Sequence, residues 1–177
     1  MAEKQIIDGK TMERTIARLS HEIIEQNPDA EEIFLVGIRR RGVPIAKKLK
    51  ENIERFSDAR VELGEIDITY YRDDLQKQSE DPRINLQQIG FDVSGRNIIL
   101  VDDVLYTGRT ARAAMEAVMA LGRPSRIQLL VMIDRGHREL PILANYVGKN
   151  IPTSRSEFVS VRVPEFDGTE EVVIVKP

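Results

Sequence analysis

The sequence predicts an α/β fold in which a central, mostly parallel sheet is flanked by helices. Short apolar runs, typical of buried strands, alternate with longer segments whose apolar residues recur at helical spacing. Strands joined through helices of this length pair in parallel, and helices then cover both faces of the sheet. The 177 residues contain no internal repeat and no change of composition. We therefore expect a single domain over residues 1–177.

The first predicted helix covers 10–26 and ends before Pro28, because proline cannot continue a helix. One apolar stripe at helical spacing supports it, formed by Met12, Ile16, Leu19 and Ile23. The next predicted elements are a strand over 33–38, a helix from Gly42, a strand over 61–70, a strand over 97–101, a helix over 109–121 and a strand over 127–133. Between two of the strands lies the polar segment 71–95, which is long for a connection inside a compact domain. We expect that segment to be a functional flap or a mobile hairpin.

Composition restricts the class of protein. With 41% hydrophobic and 31% charged residues, a globular protein in water is expected. No apolar run approaches the roughly 20 residues that span a bilayer, and the N-terminus lacks a signal-peptide core, so the cytoplasm is expected and a membrane partner is not. The absence of cysteine excludes disulfides, thiolate metal sites and thiol catalysis. The net charge of −3 means that any nucleic-acid binding must come from a local basic surface.

The most informative segment runs from Asn97 to Thr110. An apolar strand ends in the pair Asp102-Asp103, and a short polar loop then leads into a helix. A helix N-terminus after such a loop binds phosphate through free backbone N–H groups and the helix dipole. The two carboxylates add acceptors for sugar hydroxyls or ligands for Mg²⁺. The site therefore suits a phosphorylated sugar; the alternatives are an aspartate pair that caps the turn and a threonine, Thr107, that only caps the helix.

A run of three arginines, Arg39-Arg40-Arg41, precedes Gly42 at the start of the second helix. These residues follow a strand directly, as Asp102 and Asp134 do, so they are expected at one edge of the sheet, where ligands of such folds bind. One interpretation is that these arginines bind an anionic group. The other is that they form a solvated run of charges on the surface.

The string Val101–Thr110 resembles the signature of the type I phosphoribosyltransferases. Its residues resemble one branch of them, the bifunctional pyrimidine operon regulators and uracil phosphoribosyltransferases. Further segments resemble that branch in the same order along the chain, namely 64–69, 71–75, 134–141 and 148–154. The resemblance implies a type I phosphoribosyltransferase-like fold, with a small hood mainly over 134–163 and a flexible active-site loop at about 71–95.

The resemblance implies formation of UMP and pyrophosphate from uracil and 5-phosphoribosyl-1-pyrophosphate (PRPP). It assigns the chemistry to Asp102 and Asp103, which would also hold Mg²⁺, partly through the substrate. The loop for the 5′-phosphate would comprise Val104, Leu105, Tyr106, Thr107, Gly108, Arg109 and Thr110. The pyrophosphate loop would comprise Arg39, Arg40, Arg41 and Gly42, with Arg40 and Arg41 favoured, although Thr is common in the family where Arg40 stands.

The base and the flap are assigned in the same way. Arg135 and the main chain near Val159 would hold uracil, and Tyr71, Arg72, Asp73 and Asp74 would open the flexible loop. Tyr106 stands where purine-using relatives typically have an aspartate for the base proton. A phenol is uncharged near neutral pH, so a 6-oxopurine substrate is not expected.

The resemblance also implies a second function, binding of pyrimidine operon leader mRNA when UMP or UTP is bound. Arg14, Arg18 and His21 form a basic stripe on the first helix, for which a solvated surface is the alternative. Residues that match the family's RNA-binding positions are Arg18, His21, His137, Arg138 and Lys149. Three other positions differ from the family, Ala17, Gln26 and Leu143, so weakened or altered RNA binding is expected. The family forms homodimers or homotetramers.

Overall fold

The computed structural model describes residues 2–68 and 89–177. Within them the elements, in chain order, are β1 (Ala2–Ile7), α1 (Gly9–Gln26), β2 (Glu32–Ile38), α2 (Gly42–Phe56), β3 (Arg60–Ile66), β4 (Asn97–Leu105), α3 (Arg109–Leu121), β5 (Arg126–Asp134), β6 (Tyr146–Asn150), β7 (Phe158–Arg162), α4 (Pro164–Asp167) and β8 (Glu171–Lys176). The predicted helices over 10–26 and 109–121 are confirmed to within one residue. No helix in these described ranges is long and apolar enough to cross a membrane.

The central sheet has the strand order β3-β2-β4-β5-β6, and every pairing in it is parallel. Helices α1 and α2 pack on one face, in a core that includes Met12, Leu49 and Val101. Helix α3 packs on the other face, against Leu100 and Val131 among others. The predicted α/β architecture with helices on both faces is therefore confirmed.

A second sheet, in the order β1-β8-β7 and antiparallel throughout, lies beside the core. Its inner residues, Val161 and Val172 among them, join the core on the α1 and α2 face. The predicted hood over 134–163 is divided between the two sheets, because its strand β7 belongs to the second sheet and its strand β6 does not. Strand β6 instead pairs with β5 at the edge of the central sheet, since Val147 lies opposite Val131. The second sheet combines β7 with β1 and β8, which the sequence did not predict. We call this second sheet together with α4 the hood.

Two boundaries near the site differ from the prediction. Strand β4 continues past Val101 to Leu105, because it stays paired with β5 as far as Asp134. The predicted strand over 61–70 ends at Ile66. At the other end of the predicted flap, Ile89 and Val93 are buried against the α3 face, so 89–95 is packed on the core. The proposed flap residues Tyr71, Arg72, Asp73 and Asp74 lie outside the described residues.

Candidate active site

The carboxyl ends of β2, β3 and β4 meet at one edge of the sheet, as the strand order requires. A cavity of about 630 Å³ opens there. It is lined by Arg39, Arg40, Arg41, Asp67, Ile68, Asp102, Asp103, Val104 and Thr110. The predicted pyrophosphate loop, the acid pair and the end of the phosphate loop thus share one cavity.

Gly42 allows the pyrophosphate loop to lie this close to the acid pair. A Cβ atom at this position would come within 2.2 Å of the Val101 carbonyl oxygen. Real Cβ atoms do not approach carbonyl oxygens so closely, so any other residue would push the start of α2 away from β4. The glycine therefore sets the distance across the cavity.

The acid pair, Asp102 and Asp103, lies near the end of strand β4. Hydrogen bonds from the strand's own backbone hold both carboxylates. Asp102 is buried and Asp103 is half-buried. One oxygen of Asp102 accepts the Asp103 N–H at 2.9 Å, and one oxygen of Asp103 accepts the Val104 N–H at 2.8 Å. These bonds restrict the rotation of both carboxylates, which are thereby presented to the cavity in fixed orientations.

The phosphate loop connects β4 to α3 through a left-handed residue. Gly108 has φ +93°, a conformation that glycine adopts without steric cost, and its carbonyl accepts the Arg112 N–H at 2.9 Å. The interpretation of Thr107 as the helix cap is wrong, because Gly108 is the N-cap residue and Thr107, one position earlier, only accepts the Arg109 N–H at a long 3.4 Å. A second cavity, of about 390 Å³, is lined by the loop residues 104–111. Helix α3 therefore begins at a cavity wall, which is where a helix N-terminus can bind phosphate.

The three arginines differ in their partners. Arg39 donates to Glu65 Oε2 at 3.1 Å, and its peptide bond to Arg40 is cis. The Arg40 guanidinium is exposed and lies 5.0 Å from the centre of the Phe166 ring. Arg41 makes two bonds to Asp167 of α4, at 2.7 and 3.3 Å.

The bonds between Arg41 and Asp167 perturb both groups. The bond to Asp167 raises the pKa of Arg41, and the charges of Asp167 and Asp103 add to this, against a smaller opposing effect of burial. The guanidinium in turn lowers the pKa of Asp167, helped by the Val163 N–H that its carboxylate accepts at 2.9 Å. This ion pair joins the hood to the pyrophosphate loop.

The predicted base site brings together Arg135 and Tyr106. Arg135 is only 5% exposed, and its guanidinium lies 4.0 Å from the centre of the Tyr106 ring. It is fixed by Thr153 Oγ1 at 3.1 Å and the Ser154 carbonyl at 2.9 Å. Val159 lies on β7, in the other sheet, opposite Ile174.

The RNA-binding candidates fall in two groups. On α1, Arg18 pairs with Glu22 and donates to the carbonyls of Val147 and Gly148, which brings the basic stripe beside exposed Lys149 on β6. His21 stacks on Phe56, with ring centres 4.4 Å apart. His137 and Arg138 lie instead in the segment after β5, where the His137 ring bonds to the Thr153 carbonyl and the Arg138 guanidinium to groups of the chain itself.

Several residues of the site were not predicted. Asp67 follows β3 as Arg39 follows β2, but the rule of strand ends missed it because the strand was predicted to continue to residue 70. Asp167 and Phe166 gave no signal, because they lie on the four-residue helix α4, more than 120 positions from Arg40 and Arg41. Thr153 and Glu139 were likewise visible only through their contacts with Arg135 and Arg109.

The fold and site define a phosphoribosyltransferase. The family model described as phosphoribosyl transferase domain matches residues 2–165. Solved structures of the same fold include a hypoxanthine-guanine phosphoribosyltransferase from Bacillus anthracis, with TM-score 0.73 and 19% identity over 100% of both chains. Another is the hypoxanthine phosphoribosyltransferase of Trypanosoma cruzi, with TM-score 0.74 and 17% identity, covering 99% of this chain and 98% of that one.

Closer similarity is found to proteins named Bifunctional protein PyrR. That of Caldicellulosiruptor bescii is 57% identical over 171 residues, 97% of this chain and 94% of that protein. That of Clostridium novyi is 57% identical over 169 residues, 96% and 95% of the two chains. That of Clostridioides difficile is 53% identical over 175 residues, 98% and 99%. The chain therefore belongs to the phosphoribosyltransferase family, in its PyrR branch, and the resemblance found in the sequence is confirmed.

Proposed function

We propose that this phosphoribosyltransferase joins uracil to the ribose of PRPP, forming UMP and pyrophosphate. The observation that carries the proposal is the cavity shared by Arg39–Arg41, the acid pair and Thr110. Guanidinium groups suit pyrophosphate, carboxylates suit ribose hydroxyls, and a helix N-terminus suits the 5′-phosphate. The lining of this one cavity therefore offers a partner to each of the three groups of PRPP.

The acid pair acts on the sugar. Uracil N1 forms the new bond to the anomeric carbon as the bond to pyrophosphate breaks, the N1 proton leaves with the pyrophosphate, and positive charge develops on the ribose ring during the exchange. Asp102 and Asp103 hold the ribose hydroxyls and stabilise that charge, because their orientations are already fixed by the β4 backbone. The arginine side chains stabilise the negative charge that develops on the departing pyrophosphate.

Mg²⁺ fits this site as a shared ligand. Carboxylates are the oxygen donors that Mg²⁺ prefers, and Asp102 and Asp103 supply them. Among residues 2–68 and 89–177 no group of three or more acidic, His or Cys side chains is arranged to hold a metal alone. Substrate oxygens would therefore complete the coordination, and the bound ion would neutralise pyrophosphate charge.

The base specificity rests on Tyr106 and Arg135. The Arg135 guanidinium is buried over the Tyr106 ring and is held on two sides, so this wall of the base site is rigid. Neither side chain supplies the carboxylate that the resemblance implies for purine substrates. A phosphoribosyltransferase for another base is the alternative, and faster turnover of hypoxanthine or orotate than of uracil would favour it.

The decisive experiment measures UMP formation from uracil and PRPP with Mg²⁺. Wild type is expected to be active, and the double variant Asp102→Asn/Asp103→Asn is expected to lose at least 100-fold in kcat/KM, roughly 2.7 kcal/mol of transition-state stabilisation, with an unchanged circular dichroism spectrum. A matched control is Asp29→Asn, an exposed aspartate in the turn after α1. Wild type without activity would refute the enzymatic proposal.

A second function follows from the PyrR branch, namely regulation of pyrimidine genes by binding leader mRNA when UMP or UTP is bound. The basic stripe of α1 with Lys149 beside it supports this proposal. The alternative is that the chain is mainly such an RNA-binding regulator, with vestigial catalysis. Filter binding of a pyrimidine-leader hairpin, at one stated salt concentration, should tighten on addition of UMP. Equal binding with and without UMP would exclude the regulatory function.

We place this activity in the cytoplasm and in a homodimer or homotetramer. The oligomer is what the resemblance to the PyrR branch implies, and the exposed apolar side chains of Leu143 and Phe158, at 82% and 63%, are candidates for its interface. Sedimentation equilibrium should give a mass of two or four chains, and a mass of one chain would contradict the proposal.

A further inference from the structure

We infer that Arg138 is a positioning residue for the phosphate loop, acting through the peptide between Tyr106 and Thr107. The inference rests on the proposed function, because it assumes that this loop binds the 5′-phosphate. It assigns the inward-facing guanidinium a role in the active site that differs from direct contact with RNA.

The Arg138 guanidinium joins three parts of the site by its three nitrogens. Nη1 donates to the Tyr106 carbonyl at 2.7 Å, Nη2 to Asp134 Oδ2 at 2.6 Å, and Nε to the Ile142 carbonyl at 2.9 Å. The side chain is 20% exposed and its partner carboxylate 12% exposed. A planar fork held at three points cannot rotate without breaking bonds, so it fixes the position of the Tyr106 carbonyl.

The residues after Arg138 continue this contact, and we call 138–142 the strap. The N–H groups of Glu139 and Leu140 both donate to the Thr107 carbonyl, at 2.9 and 3.2 Å. The Glu139 carboxylate accepts from Arg109 Nε at 2.8 Å. Side-chain atoms of Leu140 and Ile142 lie 3.4 to 3.5 Å from where a Cβ on Gly108 would stand. The strap therefore contacts each loop residue from Tyr106 to Arg109.

Because the peptide unit is planar, a contact that holds a carbonyl also fixes the direction of the following N–H group, which can bind the ligand. In a planar trans peptide the carbonyl and the following N–H point in opposite directions. With the carbonyls of Tyr106 and Thr107 bonded to the strap, the N–H groups of Thr107 and Gly108 are directed away from it. Residues 106–108 line the cavity beside the loop, with Glu139 of the strap at its rim. The strap thus orients two backbone donors for the 5′-phosphate, and Arg138 orients the first of them.

The test compares a ligand that has the phosphate with one that lacks it. Isothermal titration calorimetry would measure Kd for UMP and for uridine with wild type, Arg138→Gln, Arg138→Lys and a control, Arg162→Gln. Arg162 also makes two ion pairs and is 26% exposed, but its partners are Glu3 and Glu171 in the hood sheet. Arg138→Gln is expected to weaken UMP about tenfold, the effect of losing one charge-assisted hydrogen bond, and to leave uridine within about twofold.

Arg138→Lys keeps the charge but not the fork, so its UMP affinity should lie between those of wild type and Arg138→Gln, while Arg162→Gln should match wild type. Unchanged UMP affinity in folded Arg138→Gln, or equal losses for UMP and uridine, would overturn the inference. If Arg138→Gln does not fold, Arg138→Lys decides by the same two criteria. A wild type that binds UMP no more tightly than uridine would overturn the phosphate-loop proposal itself, which separates the two failures.

Discussion

Gly42 illustrates how one residue without a side chain determines the geometry of a cavity lined by nine others. Helix α2 starts against the end of β4, and the missing Cβ leaves room for the Val101 carbonyl. The arginines of the preceding loop therefore face the acid pair across the cavity. Sequence alone explained this glycine only as part of a family motif. The physical requirement is a close approach between two backbones that are 59 positions apart, between Gly42 and Val101.

Replacement of Gly42 by alanine should damage both stability and activity. The new Cβ would force α2 away from β4, which should cost about 1–3 kcal/mol of unfolding free energy, as other overpacking substitutions do. The KM for PRPP should rise because the cavity is wider. Urea denaturation and steady-state kinetics would measure the two effects. Gly95→Ala is the control, since Gly95 has φ +73° but nothing within 4 Å, and it should cost about 1 kcal/mol and leave kinetics unchanged.

The ion pair between Asp167 and Arg41 makes a pH-dependent contribution to stability. Since the folded pKa of Asp167 lies below its ordinary value of 3.8, the contribution is fully present above pH 3.8. It is lost as the pH falls through the folded pKa. Asp167→Asn should therefore be less stable than wild type by about 1–2 kcal/mol at pH 7, and the difference should shrink below pH 3.8. Denaturation at a series of pH values would measure this, and a difference that does not depend on pH would contradict it.

Among the elements, α1 is the one whose start is most clearly encoded. Asp8 accepts the Thr11 N–H at 2.8 Å, which satisfies one of the unpaired donors of the first turn. Hydrogen bonding to the Thr11 side chain and to this N–H lowers the pKa of Asp8. Asp8→Ala should lower Tm by about 2–4 °C at pH 7, whereas Asp8→Asn, which also caps, should stay near wild type. The difference between wild type and Asp8→Ala should decline as the pH falls through the lowered pKa. Equal Tm values for the two variants would contradict the capping role.

Elements whose signal lies within their own residues were predicted, and those that depend on a distant partner were not. The α1 stripe and the apolar runs of β4 and β5 are visible in the sequence, and the structure confirms them. Strand β1 begins with four exposed residues and pairs with β8, so that Ala2 lies opposite Lys176. No local pattern could indicate that pairing. Strand β4 was predicted too short for a related reason, because pairing with β5 extends it across polar Asp102 and Asp103.

The same distinction applies to the candidate site. Residues at strand ends and helix starts, such as Arg39, Asp102 and Thr107, were found because parallel sheets place their ligands there. The hood's contribution was not found, since Asp167 reaches Arg41 only through the packing of β7, α4 and β8. The direction in which a side chain points also could not be predicted from the sequence. Arg138 is predicted to contact RNA, which stays a prediction, but the bonds of its guanidinium to Asp134 and to the carbonyls of Tyr106 and Ile142 are visible only in the structure.

For the molecule as a whole, both ends of the described chain contribute to one core. Ile7 of β1 and Val172 of β8 pack in the same cluster as Met12 of α1 and Val101 of β4. The hood sheet is therefore part of the cooperative unit that holds the acid pair. This arrangement explains why a hood residue such as Asp167 can influence the pyrophosphate loop.

The overall charge of the molecule also limits how it binds RNA. A net charge of −3 repels a polyanion at long range, so the favourable contacts must be few and local. Of the five predicted contacts, Arg18 is engaged with Glu22 and two carbonyls of β6. Arg138 is engaged with Asp134 and with the carbonyls of Tyr106 and Ile142. Lys149 is exposed at the edge of the central sheet, beside the α1 stripe. We therefore expect Lys149 to make the phosphate contact that can be removed with the least effect on the rest of the structure.

Lys149→Gln should weaken binding of a pyrimidine-leader hairpin in the presence of UMP and reduce the slope of log K against log salt by about 0.7–1, the value for one phosphate contact. Filter binding between about 50 and 200 mM salt would measure the slope. Lys47→Gln changes the net charge equally at an exposed position of α2, so it separates a local contact from the molecule's overall field. If both variants shift the slope alike, binding responds to net charge and Lys149 has no contact of its own. A shift confined to Lys149→Gln would place the RNA along α1 and β6, the two elements that the hydrogen bonds of Arg18 connect.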